Sequence, residues 1–174
     1  SGEYKRVFCA SPNFGIQPGP SEYLTLVAPS IVAAGEGFRV QVRGNDKFGN
    51  PTPVDAPGLE LTADPPIAID LKTEGGRATW IEGVTLSGEG VRRLELRRGN
   101  EVLAQSNPVL VNGKDGNMIC WGDTQAQTAS TVGIGTPDEY FAYARDLAAI
   151  DFTTHQGNDF ILSDKDLDEV RQAA

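Results

Sequence analysis

Apolar and polar residues alternate in short runs over most of residues 23–111. Phe38, Val40 and Val42 alternate with Arg39, Gln41 and Arg43, which predicts a strand with one apolar and one charged face. Ile67, Ile69 and Leu71 alternate with Ala68 and Asp70, and Leu94 and Leu96 lie between Arg93, Glu95 and Arg97. Residues 23–28, 59–63, 78–86 and 102–105 complete a set of about seven strands, the number expected of an immunoglobulin-like β-sandwich. Turn chemistry separates them: Gly49-Asn50-Pro51, Ser87-Gly88-Glu89-Gly90, and Gly99-Asn100, which fits a two-residue hairpin. Gly83 within the strand of Trp80 predicts a bulge, and Trp80 itself reads as a core filler. No helical period of useful length occurs in this part.

After a polar, turn-rich stretch at residues 112–117 the pattern changes, and that stretch is the best domain boundary. Residues 118–123 read as a strand apolar on both faces, as in a covered parallel sheet; Cys120 within it reads as a small core residue. Thr136-Pro137-Asp138-Glu139 has the marks of a helix start, with Thr as N-cap, Pro at the first position and Glu three after the cap. Tyr140, Phe141, Ala144, Leu147 and Ala148 fall on one helical face and are expected to pack on the sheet. A second strand follows at residues 150–154, and Ser163 caps a second helix running to residue 174. Asp164, Asp166, Asp168 and Glu169 crowd its first turns, where the helix dipole favours negative charge, so this acidic run reads as a helix-end device before it reads as a metal site. The fold class is therefore mainly β: residues 1–21 as an extended arm or a disordered tail, residues 22–113 as an immunoglobulin-like β-sandwich, and residues 114–174 as a partial α/β (βαβα) segment.

Charge narrows the functional classes. The chain of 174 residues has a formal net charge of −9, which argues against nucleic acid or an anionic membrane surface as partner. Residues 114–174 hold 11 acidic and 4 basic side chains, −7 of the −9; residues 1–113 hold 13 and 11. The acidic second part fits a cation site or a solvated surface. No apolar run is long enough to span a bilayer and no secretory signal is visible, so cytoplasm and periplasm both stay open. Cys9 and Cys120 are too few for a disulfide framework, although a bridge between them stays open.

Candidate chemistry concentrates where short polar residues follow strand-like runs, because ligand sites in alternating strand–helix proteins collect at the carboxyl ends of strands. Trp121-Gly122-Asp123-Thr124-Gln125-Ala126-Gln127-Thr128 ends the first run, and Asp151-Phe152-Thr153-Thr154-His155-Gln156-Gly157-Asn158-Asp159 ends the second. The separation of about 30 residues suits one strand–helix–strand unit. With Gly135-Thr136-Pro137-Asp138-Glu139-Tyr140 between them, these motifs resemble the opening of a polymerase-and-histidinol-phosphatase (PHP) type metallo-hydrolase domain, in the bacterial branch that carries such a domain behind a β-rich region. The resemblance covers about 45 residues. Separately, the turn at residues 44–51 resembles the Asp-x-x-Gly-Asn-Pro turn of bacterial immunoglobulin-like and filamin-like modules, which implies a fold and no chemistry.

The PHP resemblance implies a divalent-metal site (Zn, Mn or Fe) at Asp123, Gln125, Gln127, His155 and Asp159. It also exposes a departure. Where the family has His-x-His, this chain has Gln125-Ala126-Gln127, and a neutral amide oxygen is a weak ligand beside an imidazole. His155 is the single histidine of the chain; a structural hydrogen-bonder and a relic ligand are both open readings of it. A metal-activated water needs about three rigid protein ligands and an open position, so tight metal binding is not expected here. Gly133-Ile134-Gly135 before a helix is a weak phosphate cradle, because Thr136 and Glu139 already use the free N–H groups. No Ser–His–Asp arrangement is selected by a motif.

Two functions follow from different classes. One is the N-terminal portion of a PHP-like, phosphoesterase-like hydrolase, inactive as it stands. The other is a non-catalytic β-sandwich binding or assembly module with a relic metal site. In both, two strands with two helices would expose apolar faces, so self-association or the remainder of a longer chain is the expected partner.

Overall fold

The longest strand, β3 (Phe38–Asn45), is the centre of the first of four sheets in a computed structural model that describes residues 17–54, 57–69, 76–112, 118–157 and 162–174. β1 (Tyr23–Val27) pairs antiparallel along one edge of β3. β4 (Pro51–Thr52) and β7 (Ala78–Val84) follow one another along the other edge. A second sheet runs in the order β10 (Glu101–Gln105), β9 (Glu95–Arg98), β5 (Leu59–Leu61), β6 (Ile67–Ile69), antiparallel throughout. In a third, β11 (Val109–Asn112) lies between β2 (Ile31–Ala33), to which it is parallel, and β8 (Gly90–Arg92).

These three sheets share one core. Leu26, Val40 and Val42 from the first meet Leu59, Leu61 and Leu96 from the second and Val109 and Val111 from the third. Each such side chain, fully withdrawn from water, contributes on the order of 1.5–3 kcal/mol. The alternation seen in the sequence is what delivers them: in β5, Leu59 and Leu61 are buried and Glu60 between them is exposed. The Gly99-Asn100 hairpin forms, with Gly99 at φ 59°. The bulge at Gly83 forms too; the register shifts opposite Arg39, and Gly83 takes φ 70°.

The molecule is mainly β, with more strands than the seven expected. β2, β4 and β8 have only two or three residues, too few to show a period of two. Trp80 also departs from its reading as core. It pairs with Gln41, so it shares the outer face of the sheet, half-buried, while its neighbour Ile81 enters the core.

The turn after β3 is organised by Asp46, 2% exposed. Its carboxylate accepts from the backbone N–H of Gly19, Phe48 and Asn50 and from the Asn50 side-chain amide. A single carboxylate thereby fixes the loop and ties residues 17–21 to the body of the protein.

The remaining elements are β12 (Gly122–Ala126), α1 (Pro137–Tyr143), a π-helical turn at Ala144–Ala148, β13 (Phe152–His155) and α2 (Asp164–Ala173). β12 and β13 pair in parallel. Both expected helix starts are present as capping boxes, Thr136 with Glu139 and Ser163 with Asp166. The expected apolar strand at residues 118–123 is not buried: Met118 is 78% and Trp121 64% exposed, Cys120 is an exposed free thiol, and the strand begins only at Gly122. The reading assumed a covered parallel sheet, and among the described residues nothing withdraws Met118 and Trp121 from water. Cys9, the arm over residues 1–16, the boundary residues 113–117 and Leu71 lie outside the described residues.

The π-helical turn packs on the outer face of the first sheet. Gln41 Nε2 donates to Asp146 O at 2.9 Å and Arg43 Nη1 to Leu147 O at 2.7 Å, and Trp121 Nε1 donates to Ser30 Oγ at 2.7 Å. Gln41 has no exposed surface because this turn covers it. The free carbonyls at a helix end need donors, and the polar face of β3 supplies two.

Candidate functional site

The carboxyl ends of β12 and β13 lie side by side. Asp123 is in register with Thr153 and Ala126 with His155, with a shift between the two pairs, and Gln156 N donates to Ala126 O at 2.9 Å. Gln127 and Thr128 therefore leave β12 directly beside His155.

At these strand ends most polar groups already have protein partners. His155 Nε2 is 2.9 Å from the Oγ1 of Thr128, a residue with no exposed surface. Gln127 Oε1 accepts from Thr131 Oγ1 at 2.6 Å, a contact that closes the loop after β12 on itself. Asp123 lies further back along the strand. Its Oδ1 accepts from Gln125 N at 2.8 Å and its Oδ2 from the Tyr140 hydroxyl at 3.1 Å. That hydroxyl also bonds Thr153 Oγ1, which donates to Asp123 O at 3.1 Å. Burial pushes the Tyr140 hydroxyl up from its ordinary value, and the Asp123 carboxylate adds to the shift.

Two groups thus emerge from the five residues singled out by sequence. His155 bonds Thr128 and Gln127 bonds Thr131, whereas Asp123 belongs to a cluster with Tyr140 and Thr153. Gln125 sits exposed between them, and Asp159 lies outside the described residues. Among the described residues no three His, Cys, Asp or Glu side chains converge on a point. Amide oxygens bind such ions weakly, and both the imidazole of His155 and the carboxylate of Asp123 are hydrogen-bonded within the protein. The described members of this set, Asp123, Gln125, Gln127 and His155, do not by themselves make the three-ligand, open-position arrangement that a catalytic metal requires. The sequence reading placed Thr128 at the end of the first run and Tyr140 on a helix face but gave neither a role in the site. A hydroxyl in a loop and an aromatic on a helix face carry no motif of their own.

A second feature is a groove of about 1010 Å³ between the outer face of the first sheet and the β12–β13 ribbon. Both tryptophans of the chain, Trp80 and Trp121, line it. Arg39, also in its lining, places its guanidinium 4.2 Å from the centre of the Trp80 ring. No helix among the described residues is long and apolar enough to cross a membrane.

No protein-family model matches the chain, and no curated protein matches it either.

Proposed function

We propose that the chain is the N-terminal portion of a PHP-like metal-dependent hydrolase: an immunoglobulin-like sandwich followed by the first strands and helices of the hydrolase domain, catalytically silent as it stands. The observation that carries this reading is the parallel register of β12 and β13, which sets Ala126 opposite His155. It brings together the two loops that the family motifs occupy. The silence follows from the donors. Gln125 and Gln127 stand where the family has imidazoles, and His155 Nε2 is already bonded to Thr128.

Isothermal titration with Zn²⁺ and Mn²⁺ tests both halves. The protein binds neither ion at submicromolar concentration, and the double variant Gln125→His/Gln127→His binds Zn²⁺ at least about tenfold tighter, a gain of about 1.4 kcal/mol. A double variant that binds no better removes the PHP-like reading. Submicromolar binding by the unaltered protein, lost in both Gln125→Ala and His155→Ala, removes the claim of silence.

The groove supports a second reading, a non-catalytic binding module with a relic metal site. Its two tryptophans and its exposed apolar walls form an aromatic patch against the sandwich, which a hydrolase fragment does not need.

A further inference from the structure

We propose that the groove between the β1–β3–β7 face and the β12–β13 ribbon binds a small amphipathic anion, a single carboxylate-like head on an aliphatic or aromatic body. This deepens the binding-module reading and is independent of the metal reading. The groove's volume of about 1010 Å³ lies at the upper end of small-molecule sites. Its walls include Val91, Ile119, Trp121 and Phe152, which are 64%, 49%, 64% and 47% exposed. Large apolar groups left in water around one concavity mark a place where an apolar body is to be buried. The walls are also held in place. The Trp121 indole N–H is fixed on Ser30 Oγ and its backbone N–H on Asp151 Oδ2.

The head group follows from charge. Three ionisable side chains line the groove: Arg39, Arg145 and Asp151. Arg145 is bound through two nitrogens to Asp146, at 2.7 Å each, and Asp151 accepts from Trp121 N. Of the three, Arg39 alone has no side-chain hydrogen-bonding or ion-pair partner among the described residues; its guanidinium lies over the face of Trp80. A guanidinium laid flat on an indole keeps its N–H edge open to a carboxylate. A cation without an ion-pair partner among the described residues, set beside exposed apolar walls, suits one anion on an apolar body.

The same inventory disfavours other occupants. An added β-strand needs a row of free N–H and C=O groups, but at this rim the Asn107 side chain already bonds both Ala28 N and Ala28 O. A sugar brings many hydroxyls and would find Ser30, Asn107 and Asp151 engaged.

The test uses dodecanoate and, as the neutral control, dodecanol, read by the protein's own emission, since both tryptophans line the groove. Dodecanoate shifts that emission saturably. Arg39→Gln weakens dodecanoate about tenfold, leaves dodecanol unchanged, and keeps the parent melting temperature because Arg39 is exposed; Arg39→Lys retains most of the affinity. Ile119→Asp weakens both probes. Equal dodecanoate affinity in the parent protein and Arg39→Gln overturns the anion while leaving the groove a binding site. No emission change with either probe overturns the groove as a small-molecule site altogether. A dimer in sedimentation that Ile119→Asp dissociates, or response to phosphatidylglycerol vesicles without response to monomeric dodecanoate, assigns the groove to a second copy or a lipid surface and overturns the proposal.

Discussion

At the scale of single residues, Asp46 shows how one carboxylate can hold a loop. The Asn50 amide and the N–H groups of Gly19, Asn50 and Phe48 lower its pKa from 3.8 to about 2. A folded-state value below the unfolded one stabilises the fold above the unfolded value and loses that contribution as pH falls through the folded one. The stability from Asp46 is thus whole above about pH 4 and disappears towards about pH 2. Asp46→Ala lowers the melting temperature at neutral pH and makes the acid limb of thermal melts shallower across that window. Gln41 acts on the other side of the same sheet. Gln41→Ala removes the donor to Asp146 O and one buried contact, and costs on the order of 1–2 kcal/mol in urea denaturation. Cys120, read from the sequence as core, is exposed; its thiol reacts with a disulfide reagent in native buffer as fast as in urea. That misreading had a simple source. Apolar letters around a cysteine report burial only where something covers them.

At the scale of elements, helix starts were the most legible feature. Thr136-Pro137-Asp138-Glu139 and Ser163 announced both helices, because caps depend on local residues and little else. Thr136→Ala removes the bond from Glu139 N and destabilises α1 by about 1 kcal/mol, measurable as faster amide exchange in residues 137–143. The longer strands were legible for the same reason, since two faces impose a period of two. The π-helical turn was not. It follows α1 without a change in composition, and its end is set by tertiary donors, Gln41 and Arg43. It closes with Ala149 at φ 54°, the one non-glycine residue at positive φ among the described residues. That conformation costs an L-residue about 1 kcal/mol, so Ala149→Gly raises stability by about 0.5 kcal/mol or more in denaturant melts.

At the scale of the whole molecule, stability is unevenly shared. The buried apolar cluster lies in residues 26–111, and α2 contains no buried residue. Amides of β3, β9 and β11 therefore exchange last and those of α2 first, with the β12–β13 ribbon between them; uniform protection in a native-state exchange series would contradict this. For the candidate site, the sequence showed that polar residues follow the two strands and not what they bond. Two polar clusters after two strands suggested that Gln125 and Gln127 would face His155; in the structure His155 bonds Thr128 and Gln127 bonds Thr131, partners the sequence could not show. The groove was invisible for a different reason. Trp80 and Trp121 lie 41 positions apart, and only the docking of the π-helical turn on the first sheet brings their surroundings together.

The parallel ribbon has one further consequence. At Gly122 a methyl group would collide with Phe152 O and the Phe152 ring, so the two strands can approach only if that position has no side chain. In a saturation library sorted for folded protein, alanine would already vanish at this codon. A chain that carries a side chain there must hold its two parallel strands further apart, so the width of the ribbon is written in a single missing methyl group.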